Sequence, residues 1–169
     1  KALRPDITWP TNAPTSLQQV GMTAPRAWVL VTGTGTGAPL APKVGATAER
    51  LGQLLAAHAY GLVTGGWPGV DEQVARSFNE ESSIRGLQVE DYLIQVLERG
   101  RVPAFAAGDL RIVKARGFGE IDAWTSKALE AAHVVIVVEG AGGARRIAKV
   151  ALKNQMIVLP LADTGGDAK

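Results

Sequence analysis

The 169-residue chain predicts an α/β fold: a doubly wound, mostly parallel sheet with helices on both faces. Three observations carry that expectation. Five short runs, Trp28–Thr32, Gly61–Thr64, Leu110–Lys114, Val134–Val138 and Met156–Leu161, are apolar on consecutive residues. Strands buried on both faces have this pattern. Segments with helical spacing fill the intervals between most of these runs. More than half of the 20 glycines gather in four clusters just past apolar runs, where strands should stop.

Each element can be justified in turn. Residues 1–26 hold four prolines and no clear periodicity, and read as a linker or amino-terminal arm. Residues 27–169 read as the folded domain. The first strand ends in Gly33-Thr34-Gly35-Thr36-Gly37, and Val44, Ala48, Leu51 and Leu55 form the stripe of the next helix. The second strand ends in Gly65-Gly66-Trp67-Pro68-Gly69. A helix then carries Val70, Val74 and Phe78 inward, with Asp71 placed to cap or favour its first turn. Val89, Tyr92, Leu93, Val96 and Leu97 predict a third helix ending at Gly100. Ile121, Trp124, Ala128 and Ala132 predict a fourth, and Ile147, Val150 and Ala151 a fifth.

Composition narrows the function. Apolar residues make up 46% and charged residues 20%, a globular balance with enough length for a real core. The chain has no cysteine, which excludes disulfides, thiolate catalysis and cysteine-based zinc sites. His58 and His133 lie far apart, so no metal site and no resident cofactor is expected. A net charge of +2 suits an anionic ligand, but no Lys/Arg run forms a nucleic-acid stripe. No apolar stretch approaches the roughly 20 residues of a membrane span. With no signal-peptide core either, a cytoplasmic location is expected. Lys1 in place of an initiator methionine suggests a piece cut from a longer protein.

The glycine clusters are the candidate site. In an open parallel sheet, ligands settle outside the carboxyl ends of the strands. Glycine there lets backbone approach a ligand and aim N–H groups at phosphate. The first cluster, with Gly33, Thr34 and Gly35, follows its strand as a dinucleotide fingerprint would. It departs from G-x-G-x-x-G, however, and Pro39 interrupts it. It can equally be a tight turn with no ligand.

The second cluster brings Gly65, Gly66, Trp67, Pro68, Gly69, Val70 and Asp71 to a helix amino end, an anion site by construction. Trp67 would stack on a base or cap the core. The third places Glu139, Gly140, Gly142 and Gly143 before Arg145 and Arg146, cations that oppose the helix dipole unless an anion sits there. Lys114 and Arg116 read as a phosphate clamp or as a solvated rim. Thr164, Gly165 and Gly166 would close the rim of the site.

GGWPGVD at 65–71, the glycine-rich segment after VVIVV and LPLADTGGDA at 159–168 together resemble the SLOG superfamily. That group includes "lonely guy" phosphoribohydrolases and the nucleotide-sensing domains of bacterial defence proteins. The resemblance is closest to the defence-associated branch, whose members join such a domain to an effector such as a TIR or sirtuin-like module. It implies a Rossmann-like fold over roughly residues 27–168. Hydrolytic members carry P-G-G-x-G-T-x-x-E. Laid on this chain, Val138-Glu139-Gly140-Ala141-Gly142-Gly143-Ala144-Arg145-Arg146 puts Arg146 where the catalytic glutamate belongs. Glycoside cleavage relies on carboxylates at the scissile bond, so a cation there favours holding phosphate over breaking a sugar bond.

The resemblance therefore implies a sensor that binds an NAD-derived or other nucleotide signal of the ADP-ribose or cyclic ADP-ribose kind. It would control a covalently linked effector in anti-phage defence, in a homo-oligomer, with no catalytic residue. Two alternatives stand beside it. One is a nucleotide N-glycosidase using Glu139, Asp71 or Glu120; the other is a non-binding oligomerisation scaffold pairing through the 88–99 stripe.

Overall fold

The computed structural model describes residues 24–35, 38–113 and 123–169. Lys114, Arg116 and Glu120 lie outside the described residues, as does the proposed arm up to residue 23. In chain order the elements are β1 (Trp28–Gly33), α1 (Pro42–Ala57), β2 (Gly61–Thr64), α2 (Val70–Arg85) and the single turn α3 (Val89–Tyr92). There follow β3 (Leu93–Glu98), β4 (Asp109–Val113), α4 (Ala123–Glu130), β5 (Val134–Val138), α5 (Gly143–Lys153) and β6 (Ile157–Leu161). Two 3-10 turns, Ala162–Thr164 and Gly166–Ala168, close the chain.

The six strands among the described residues are all parallel, in the order β4-β3-β2-β1-β5-β6. The chain winds outward from β1 to β4, then returns to lay β5 on the other side of β1. The strand order thus reverses between β1 and β5, whose register pairs Leu30 with Val135 and Gly33 with Val138. Their carboxyl ends are level, and a crevice opens where their connections diverge.

Two apolar layers follow from the strand alternation. Val29, Val31, Leu62, Leu93 and Val138 face Val44, Ala48, Val74 and Phe78 of α1 and α2. Leu30, Val63, Ile94, Val96, Val135 and Val137 face Trp124, Ala128, Ile147 and Val150 of α4 and α5. Gly52 lets α1 lie against Ser77 and Phe78 of α2, because a Cβ there would collide with both.

The predicted third helix is corrected. Only Val89–Tyr92 is helical, and Leu93–Glu98 is an inner strand between β2 and β4. The spacing misled because buried Gln95 interrupts the apolar run LIQVL. Its side chain is held by two carbonyls, donating from Nε2 to Phe105 and Ala107 at 2.8 Å each. An amide whose Nε2 bonds two carbonyls can be buried in a strand, although its Oε1 is buried without a hydrogen-bond partner; in the sequence it looks like the polar face of a helix. Residues 93–98 of the 88–99 stripe are therefore sheet interior, and the stripe is not one continuous helical face for pairing.

Candidate functional site

The carboxyl ends of β1, β2, β3 and β5 surround a cleft of about 290 Å³. From β1 and the loop after it come Thr32, Gly33, Thr34 and Gly35. Trp67 and Asp71 contribute from the second cluster, Glu98 from the end of β3, and Trp124 from α4. The loop after β5 and the first turn of α5 supply Ala141, Gly143, Ala144, Arg146 and Ile147. The predicted residues Gly33, Thr34, Gly35, Trp67, Asp71, Gly143 and Arg146 thus meet at one place.

The remaining predicted residues shape the cleft from behind. Gly65 packs between two indoles; an added Cβ would stand 2.6 Å from both the Trp67 and Trp124 rings. Gly69, at φ 94°, starts α2, and the Val70 amide donates to the Thr34 carbonyl at 3.0 Å. Gly66 and Pro68 turn to a neighbouring cavity. Glu139 sits at φ 57°, a left-handed conformation that a non-glycine residue adopts only under constraint. The constraint is visible: the Thr34 hydroxyl donates to Glu139 Oε2 at 2.6 Å, and the Gly140 amide donates to that hydroxyl oxygen at 3.2 Å. Thr34 so stitches the loop after β1 to the loop after β5. Thr164, expected at the rim, lies beneath instead, where its hydroxyl oxygen accepts from the Glu139 amide at 2.7 Å. Gly166 packs against the Gly140 and Glu139 backbone on the same side, and Gly165, between them, is not among the residues lining the cleft.

Two carboxylates of the chain occupy places where an anion was expected. Asp71 does not cap α2. Its carboxylate turns back and accepts from the Gly65 amide at 2.8 Å and from the Trp67 amide. Burial pushes its pKa up to about 7, and those amides and the Arg101 charge offset only part of the desolvation. Asp167 takes the amino end of α5: it accepts from the amides of Gly142 and Arg145 and pairs with the Arg145 guanidinium at 3.2 Å. Arg145 is thereby turned to Asp167, while Arg146 lines the cleft. Gly143 and Ala144, in the first turn of α5 and on the cleft wall, are at positions whose amides no carbonyl of their own helix reaches.

Three participants escaped the sequence reading. Trp124 was read as core; its Nε1 donates to the Val96 carbonyl at 2.6 Å, which fixes one indole face along the cleft. Glu98 was hidden because its strand was read as a helix. An acidic residue at a strand's carboxyl end would have been the signal. Arg101 lies over the Trp67 ring, 3.0 Å from its centroid.

No curated protein is similar enough in sequence to count as a match. Solved structures of similar fold include the molybdenum cofactor binding protein from the phototrophic bacterium Rippkaea orientalis. It is 28% identical, with a TM-score of 0.60 over 82% of this chain and 76% of that one. The molybdenum cofactor carrier protein from Chlamydomonas reinhardtii is 23% identical, with a TM-score of 0.63 over 80% and 74%. DNA processing protein A from Helicobacter pylori, described with a single-stranded DNA binding mode, is 18% identical, with a TM-score of 0.60 over 84% and 69%. At these last two identities the likeness is one of fold alone. A family model described as the SLOG cluster4 family matches residues 26–168, and the chain belongs to that family.

Proposed function

We propose that this domain binds a phosphorylated nucleotide-type metabolite, NAD-derived in the manner of ADP-ribose or cyclic ADP-ribose, and holds it uncleaved. The observation that carries the reading is the cleft at the β1–β5 switch point, where the Gly143 and Ala144 amides stand beside Arg146 and two indoles. Amides at the start of a helix favour phosphate, and Arg146 supplies a positive charge at the same wall. Trp67 and Trp124 offer flat apolar surfaces for a base. The 28% identical relative from Rippkaea orientalis, named for binding the molybdenum cofactor, supports small-molecule carriage by this fold. Regulation of a linked effector within a homo-oligomer is part of the same proposal. It needs a ligand that binds one assembly more tightly than another.

The test is calorimetric titration of the protein with AMP, NAD, ADP-ribose and the molybdenum cofactor, followed by chromatography of the bound compound. We expect a nucleotide to bind and to be recovered intact. At 100 times its Kd it should add about 2.7 kcal/mol to unfolding stability. Tight binding of the molybdenum cofactor alone would overturn the nucleotide reading, and a flat response to every compound would favour a scaffold.

One observation favours a second reading, hydrolysis of an N-glycosidic bond. Asp71 is a buried carboxyl that titrates near neutrality inside the cleft, as a general acid would. Release of free base that Asp71→Asn abolishes would establish that activity; Glu139, tied to Thr34, is less available for it.

A further inference from the structure

A second cavity, of about 460 Å³, adjoins the first behind Trp67, between Gly66 and Pro68 on one side and the β3–β4 loop from Arg99 to Ala104 on the other. Glu98 lies on the wall of both cavities. Arg101 lines the second cavity while its guanidinium covers the Trp67 ring of the first. Its Nη1 is buried with no hydrogen-bond partner. A guanidinium has five donors and cannot shed its charge. The charge acts on Asp71 and faces the Trp67 ring, but this nitrogen makes no hydrogen bond, so it remains a donor that an anionic group could satisfy.

We propose that the two cavities form one bipartite site, whose ligand carries a second anionic or sugar-phosphate group beyond its first nucleoside. This deepens the nucleotide reading above and rests on it. The base lies against Trp67 and Trp124 in the first cavity. Arg101 receives the distal phosphate in the second. Glu98, at the junction, accepts hydrogen bonds from hydroxyls of the intervening ribose, a task acidic residues perform at strand ends in nucleotide sites. The second cavity selects a two-part ligand such as a nucleoside diphosphate sugar over a mononucleotide.

The test compares the affinities of AMP and ADP-ribose for the wild-type chain and for Arg101→Ala and Arg101→Lys. We expect wild type to prefer ADP-ribose by about 10-fold or more, the size of one charge-assisted hydrogen bond. Arg101→Ala should bring that ratio close to one, and Arg101→Lys, which keeps the charge, should retain part of it. Thermal unfolding of both variants separates loss of the ratio from loss of the fold, and Arg101→Lys carries the test if Arg101→Ala unfolds. A ratio unchanged in the variants, or a wild type without preference, overturns the bipartite site while leaving the nucleotide reading intact. Failure of both compounds to bind the wild type overturns both.

Discussion

Asp71 illustrates how a single side chain can mean one thing in a sequence and another in a fold. Three residues past Pro68, it reads as a helix cap, but the carboxylate bends back to the Gly65 and Trp67 amides. Those amides are the ones the glycines were expected to offer a ligand. Because burial raises its pKa from 3.8 to about 7, the folded state holds a proton that the unfolded chain releases. Its stabilising contribution is therefore complete below about pH 4 and is lost as pH rises toward 7. Asp71→Asn should flatten the fall in melting temperature across that window, measurable by thermal unfolding at stepped pH. The same proton bears on binding, since an ionised Asp71 repels an anion. Affinity for ADP-ribose, whose pyrophosphate does not titrate there, should drop above pH 7 and drop less in Asp71→Asn.

Gly65 makes the complementary point about space. Its missing side chain is what admits two indoles to the wall of the cleft. Gly65→Ala should cost about 1–3 kcal/mol by overpacking and displace Trp67. Chemical denaturation and tryptophan fluorescence would record both effects. The glycine clusters were conspicuous in the sequence, but which of their amides remained available was not. That depended on Asp71, Thr34, Thr164 and Asp167, whose partners lie up to 106 residues away.

At the scale of elements, α5 and β3 carry the lessons. The first turn of α5 holds two adjacent arginines that sequence alone could not tell apart. Asp167 takes Arg145, and Arg146 lines the cleft. Arg146→Ala should therefore weaken nucleotide binding about 10-fold, the scale of one charged hydrogen bond, while Arg145→Ala changes it little. Titration of the two single variants checks this. For β3, hydrogen exchange should find the amides of residues 94–97 among the slowest in the protein, since the strand is paired on both sides. Exposure of those amides would contradict the strand and restore the helix that the spacing suggested.

Across the whole molecule, the helical layers cover the middle of the sheet better than its edges. Leu110 and Ile112 on β4, and Ile157 and Leu159 on β6, are exposed apolar residues on the strands at the two ends. Exposed edge strands are ready to pair with another chain, which agrees with the homo-oligomer proposed above. Replacing Ile157 and Leu159 together with lysine should leave stability within about 0.5 kcal/mol per site, as at other exposed positions. It should also lower self-association in sedimentation velocity; unchanged association would move the contact away from β6. No described helix is long and apolar enough to cross a membrane.

The sequence by itself determined the layered α/β architecture, the helices other than the one misread, and the ends of β1, β2 and β5 around the site. Those features are local: consecutive apolar residues bury both faces of a strand, 3.6-residue stripes bury one face of a helix, and glycine marks where either stops. Only the tertiary structure decided that LIQVL is a strand, that Asp71 and Asp167 fill amide nests, and that Glu98 and Arg101 reach the cleft. The reason is distance along the chain. Hydrogen-bond partners and burial are set by neighbours brought together across the sheet, and periodicity within one segment carries no record of them.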